Sequence, residues 1–217
     1  MRPSYVLRRC ERHEIMELIE RYHPYGGASA AFTYVFAVWE GGRPVAAYCW
    51  MPPPFGASKS VCKEAPQGVL ALSRMVAVPR DERELNHVSK PLRRQMRVMI
   101  DRDRWPVLIT YSDESLGHTG HVYKCSGWKK TVRSPMKYYL NEEGVRVSKY
   151  TNGKSRDTSD LERGHGFIQR WEHWSVEPGQ AQARMEAAGW KREPTGKTWA
   201  SGNPAHRWVK STQLELI

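Results

Sequence analysis

Apolar positions along this chain switch between spacings of two and of three to four residues. Residues 4–10 alternate enough to form a first strand. Over residues 12–22, Ile15, Met16, Leu18, Ile19 and Tyr22 share one helical face, with acids and bases opposite. Pro24 and the Gly26-Gly27 pair stop that helix. Residues 32–39 and 45–51 are rich in aromatic and β-branched side chains and are joined by Glu40-Gly41-Gly42-Arg43-Pro44, a hairpin signal. Pro52-Pro53-Pro54 cannot continue a central strand, so residues 52–68 read as a long loop. An apolar strand over 69–78 follows, then a polar turn over 80–89. The next helix, 91–103, buries Leu92, Met96, Met99 and Ile100. A strand over 105–111, a short helix over 118–126 closed by Gly127, and an extended run over 128–133 complete this part.

The order β-α-β-β-β-α-β-α-β lacks the one-to-one beat of a doubly wound sheet. It implies an α+β fold, a mixed central sheet with helices on both faces. Residues 134–217 differ, with short extended runs, Gly144, Gly153, Gly164 and Gly166, and tryptophans at 171, 174, 190, 199 and 208. The chain therefore divides into a core over 1–133 and a β-rich C-terminal extension over 134–217 that completes the sheet or contacts a polyanion, the two forming one compact domain. A length of 217 residues with 40% hydrophobic and 26% charged residues is globular composition and excludes disorder or coiled coil. No apolar run approaches the ~20 residues of a membrane helix. The N-terminus carries no signal-peptide pattern, so a cytoplasmic, membrane-free protein is expected.

Charge narrows the partners. A formal net charge of +11 creates a field that concentrates polyanions, and nucleic acid leads among them. Arg93, Arg94, Arg97 and Arg102 lie on the polar face of the 91–103 helix, either as phosphate contacts or as its wet face. The four cysteines show no paired spacing, so no zinc knuckle or redox motif is written. His118, His121 and Cys125 share a helical face that could present metal ligands, although packing against the sheet is the simpler reading of that face and no metal is expected.

Candidate chemistry gathers after the 105–111 strand, which delivers Asp113 at its carboxyl end. The next helix presents Tyr123 one turn before Gly127. A carboxylate and a phenol in a crevice could take a proton from a nucleophile and return one to a leaving group. Alternatively, Asp113 caps the helix and Tyr123 packs in the core.

The element order and the run Val122-Tyr123-Lys124-Cys125-Ser126-Gly127-Trp128 resemble the GNAT acyltransferase superfamily, in many members of which the tyrosine of this segment protonates the departing thiolate. Leu72-Ser73-Arg74-Met75-Val76-Ala77-Val78-Pro79 resembles the superfamily's central strand. Its glycine-rich pyrophosphate loop has no counterpart in Arg83-Glu84-Leu85-Asn86-His87-Val88-Ser89-Lys90-Pro91. A closer resemblance, carried by Arg21-Tyr22-His23-Pro24-Tyr25-Gly26-Gly27, the Trp50-Met51-Pro52-Pro53-Pro54-Phe55 run, residues 72–79 and residues 111–128, is to the Mom family of Mu-like phages.

That resemblance implies conversion of adenine in double-stranded DNA to N6-carbamoylmethyladenine, protecting phage DNA from restriction in the host cytoplasm. It implies Asp113 and Tyr123 as catalytic residues. His23, Tyr25, Arg74, Ser112 and Ser115 would bind substrate, although an internal ion pair explains Arg74 equally simply, and Asn86, Ser89 and Lys90 would bind the donor. Tyr25, Trp50 and Phe55 could stack on an extruded base, or belong to the core. The donor is glycyl-tRNA or acetyl-coenzyme A. The rival functions are a GNAT enzyme acting on a protein or small-molecule amine and a non-catalytic DNA-binding module.

Overall fold

The computed structural model describes residues 5–24, 32–101, 104–147, 150–151, 154–155, 157–198 and 204–210. Strand β1 (Val6–Arg9) leads into a 3-10 turn (Arg12–Ile15) and helix α1 (Met16–Tyr22). The turn is fixed by Glu14, whose carboxylate accepts from the Glu11 N–H at 2.7 Å and from Arg8 at 2.7 Å. Strands β2 (Tyr34–Glu40) and β3 (Arg43–Met51) form the expected hairpin. Helix α2 (Phe55–Val61) precedes β4 (Val69–Ala77), and helix α3 (Ser89–Asp101) carries the chain to β5 (Val107–Asp113). A short helix α4 (His121–Cys125) follows, then β6 (Lys129–Leu140), β7 (Arg146–Val147), β8 (Tyr150–Thr151), β9 (Lys154–Ser155) and β10 (Glu162–Trp174). Helix α5 (Ala181–Ala187) and strands β11 (Trp190–Thr198) and β12 (Pro204–Lys210) come last.

Eight strands form one mixed sheet in the order β1-β2-β3-β4-β5-β10-β6-β7, while β8-β9 and β11-β12 pair separately. By contacts the chain forms two units. The first comprises Met1–Met51, Ala71–Gln95 and Ile109–His173, and the second Pro52–Leu70, Met96–Leu108 and Trp174–Ile217. In the first, the core lies on β2 and β3, where Ala37, Val38, Ala47, Tyr48 and Trp50 are inaccessible to solvent. Burying the Trp50 indole leaves a polar N–H to satisfy, and Gln95 of α3 accepts it at 2.9 Å. Along β4 the register steps from Cys49↔Arg74 to Trp50↔Leu72, which leaves Ser73 as the extra residue of a bulge. In the second unit, a Cβ on Gly68 would stand 2.8 Å from the Met185 sulfur of α5, so only glycine permits that approach.

Three expectations need correction. Residues 52–68 are not a structureless loop, because Pro54 caps α2 and Pro66–Gly68 form a 3-10 turn. Proline ends the strand there, but its fixed φ also suits a helix start. The division between 133 and 134 falls inside β6. Residues 134–217 also supply a long strand, β10, inserted between β5 and β6. Gly164 and Gly166 do not break it. A Cβ at Gly164 would lie 2.1 Å from the Tyr138 ring, and one at Gly166 2.7 Å from the Ser115 hydroxyl. These glycines make room for side chains crossing the strand. Among the described residues no helix is long and apolar enough to cross a membrane.

Candidate functional site

Strand β5 ends in Tyr111-Ser112-Asp113, and consecutive side chains on a strand face opposite ways. Ser112 opens onto a cavity of about 320 Å³ walled by Met75, the loop from Gly117 to Gly120, and His121, Val122 and Tyr123 of α4. A second hollow of about 250 Å³ shares Ser112, Gly117, His118 and Thr119 and adds Glu114, Lys130 and Gln169. The loop is shaped by glycines at φ 71° (Gly117) and φ 69° (Gly120), a region L-residues avoid. Gly120 is doubly constrained, because a Cβ there would lie 2.2 Å from the Trp171 ring. Trp171 donates its indole N–H to the Ser112 hydroxyl at 2.9 Å, which fixes that oxygen at the cavity wall.

The Tyr123 ring stands 6.0 Å from both Trp128 and Trp171, and Trp128 stacks on Trp50 at 6.4 Å. Removal from water in this aromatic wall pushes the Tyr123 phenol pKa upward, and a hydrogen bond with Thr110 offsets part of the effect. The phenol is therefore protonated at neutral pH and is a proton or hydrogen-bond donor.

Asp113 belongs to the other side of the strand. Its carboxylate pairs with Arg146 of β7 and accepts from the Ser115 N–H at 3.0 Å and the Ser115 hydroxyl at 2.5 Å. The Asp113 and Arg146 side chains are 7% and 8% exposed, and the guanidinium lies 3.7 Å from the Tyr138 ring centroid. The expected acid–phenol couple is thus split by strand alternation. Ser112 takes the place beside the phenol, and Ser115, itself exposed, bonds to the buried Asp113–Arg146 pair.

His23, at the carboxyl end of α1, is pushed down to about 4 by burial first, then by the charges of Arg74 and His118. It is a neutral imidazole at physiological pH. Arg74 donates to the Ser73 carbonyl at 2.8 Å. Tyr25 and Arg102 lie outside the described residues. Trp50 is core, whereas Phe55 is 55% exposed at the start of α2. Arg93, Arg94 and Arg97 are exposed on α3, opposite buried Leu92, Met96 and Met99.

The loop before α3 holds the donor-binding candidates. Its N–H groups at Glu84 and Leu85 donate to the buried Glu40 carboxylate at 2.8 and 2.7 Å, and the Tyr48 hydroxyl donates to the Val88 carbonyl at 2.8 Å. Asn86 is exposed and accepts from Arg80 at 3.5 Å. Ser89 and Lys90 open α3, where the Lys90 N–H donates to the His87 carbonyl at 3.1 Å.

Burial pushes the Cys10 thiol up to about 11 and those of Cys49 and Cys62 up to about 12, so none is a nucleophile at neutral pH. Cys125 is exposed, its sulfur 3.3 Å from His121. Among the described residues, no group of three His, Cys, Asp or Glu side chains is placed to hold a metal ion.

The family model described as the Mom protein family matches residues 4–178 of this chain. The chain belongs to the Mom protein family. No curated protein matches it. Solved structures share its fold at low identity. The ribosomal-protein-S18-alanine N-acetyltransferase from Escherichia coli is 10% identical with a TM-score of 0.53, covering 82% of this chain and 97% of that one. An IAA acetyltransferase from Bacillus cereus is 12% identical with a TM-score of 0.51, covering 79% and 99%. A Bacillus subtilis acetyltransferase in complex with CoA is 8% identical with a TM-score of 0.50, covering 80% and 100%. This Mom-family chain therefore has the GNAT fold.

Sequence reasoning missed Trp171, Gln169, Lys130 and Arg146, all from the second half of the chain. The two glycines spaced three apart, Gly117 and Gly120, were the available local sign of a shaped loop. Strand pairing alone brings the other residues to the site.

Proposed function

We propose that this Mom-family chain transfers an acyl-type group to the exocyclic amine of adenine in double-stranded DNA, forming N6-carbamoylmethyladenine and shielding viral DNA from restriction. The observation that carries this reading is a half-buried, protonated Tyr123 facing a cavity beside Ser112, within a match to the Mom family over residues 4–178. In this scheme the target base leaves the duplex and enters the Ser112–Tyr123 cavity. Tyr123 donates a proton or hydrogen bond to the departing group, and the Ser112 hydroxyl holds a substrate polar atom. Neutral His23 accepts or donates a hydrogen bond nearby. Asp113, committed to Arg146 and Ser115, acts as a positioning residue that fixes the end of β5 and with it Ser112.

The group added, –CH2–CO–NH2, is an isomer of a glycyl group. If glycine is joined to the adenine amine through its carbonyl, with loss of its ester oxygen, its free amine can attack C6. Breaking the bond from C6 to the original nitrogen then releases that nitrogen as the terminal amide. Glycyl-tRNA is the donor this chemistry favours. In its support, the loop before α3 has no glycine, and two of its N–H groups already serve Glu40. Acetyl-coenzyme A is the rival, since a fold neighbour is in complex with CoA.

Liquid chromatography of nucleosides from DNA of expressing cells tests the reaction. An altered adenine is expected, and Tyr123→Phe should reduce its yield by about 100-fold or more. Unaltered adenine with an acylated protein or small amine would instead support a general acyltransferase. Labelled glycyl-tRNA and acetyl-coenzyme A, each supplied with DNA and purified protein, separate the donors.

A further inference from the structure

Strands β6 and β10 pair over most of their length, and their register assigns side chains to faces. Arg163↔Tyr139, His165↔Lys137, Phe167↔Pro135 and Gln169↔Arg133 are directly opposed, so these side chains share one face. Beyond the bulge after Gln169, Trp171↔Lys130 returns to the same face. This is the face on which Gln169 and Lys130 line the hollow adjoining the Tyr123 cavity, and on which Trp171 bonds Ser112. Tyr138, Gly164, Gly166 and the Asp113–Arg146 cluster occupy the other face.

The face is basic and open. Lys130, Arg133, Lys137, Arg163 and His165 are exposed, and Phe167 is 41% exposed. Arg133 is held in place, with its guanidinium 3.4 Å from the Phe167 ring centroid and paired to Glu114 at 2.9 Å. From Trp171 at the cavity to Arg163 the strand advances eight residues, about 27 Å at ~3.4 Å each. That length matches about eight base pairs of duplex. Phe167 thus sets an exposed aromatic ring among cations on the face that leads to the cavity, the combination that binds nucleic acid through phosphate charge and ring contact.

We propose that this β6–β10 face, rather than the arginines of α3, carries the duplex whose base enters the Tyr123 cavity. Lys137 and Arg163 bind backbone phosphates, and Phe167 packs against the sugar–phosphate edge near the opening. The proposal rests on the reading of DNA as substrate.

The test uses the full chain and a fluorescent duplex oligonucleotide, with Kd followed by anisotropy across salt concentrations. Because both targets are exposed, K137Q/R163Q should retain the wild-type melting temperature. It should weaken duplex binding at least about tenfold and flatten the slope of log K against log salt by about two. R93Q/R94Q on α3 is the comparison and should change both far less. Wild-type binding by K137Q/R163Q, or a larger loss in R93Q/R94Q, would overturn the proposal. So would loss of binding to a tRNA competitor with duplex binding intact. Nucleoside analysis runs in parallel: altered adenine from wild type with an unaffected K137Q/R163Q Kd rejects this surface alone, whereas no altered adenine from wild type rejects the reaction and leaves the binding comparison standing.

Discussion

Two loops, each leading into a helix, solve the problem of exposed backbone groups in opposite ways. The loop before α3 lacks glycine and is closed upon the protein's own side chains, with Glu40 accepting two N–H groups and Tyr48 holding the Val88 carbonyl. The loop before α4 carries two left-handed glycines and walls a cavity instead. In the first, backbone donors are consumed by the fold. In the second, glycine geometry and a tryptophan from β10 create space beside a phenol. The contrast teaches that the chain's open chemistry lies after β5, and that the region before α3 contributes rigidity.

Substitutions can break this contrast. Asp113→Asn, at the start of the open loop, should have the largest effect on stability. It leaves the buried Arg146 without its counter-charge, and such losses cost about 3–5 kcal/mol. Chemical denaturation measures it, and a loss below about 1 kcal/mol would mean the pair is dispensable. Next comes Gly120→Ala, which combines a left-handed backbone with overlap on Trp171 and should cost about 2–4 kcal/mol. An unchanged melting curve would show that the loop has an alternative conformation.

Glu40→Gln should act on the closed loop more modestly, by about 1–2 kcal/mol. Its amide offers one acceptor oxygen to two N–H donors, and at ~2–4 °C per kcal/mol the melting temperature resolves the change. The effect of pH through His23 is confined to acid solution. Its folded pKa of about 4 lies below the ordinary value of 6.5, so the unfolded chain binds more protons between those values. Its contribution is complete above about pH 6.5 and is lost as pH falls toward 4. His23→Gln should flatten that limb of the stability profile; an identical acid limb in both proteins would place the titration elsewhere.

The local pattern determined much of the core. The β2–β3 hairpin, the β4 and β5 strands and the Leu92, Met96 and Met99 stripe of α3 follow from periodicity, because each reports an element's own buried face. Residue order likewise put Tyr123 one turn before Gly127. Only the tertiary structure decided which side of β5 meets the cavity. Alternation says that Ser112 and Asp113 part company, not which of them faces the phenol. The insertion of β10 settled that, bringing Trp171 to Ser112, while the return of β7 brought Arg146 to Asp113. Strand pairing between residues dozens of positions apart depends on complementary faces meeting in space, and a one-dimensional pattern contains no term for it. For the same reason the linear pattern carries no sign that Tyr138 and Ser115 cross the strand at Gly164 and Gly166.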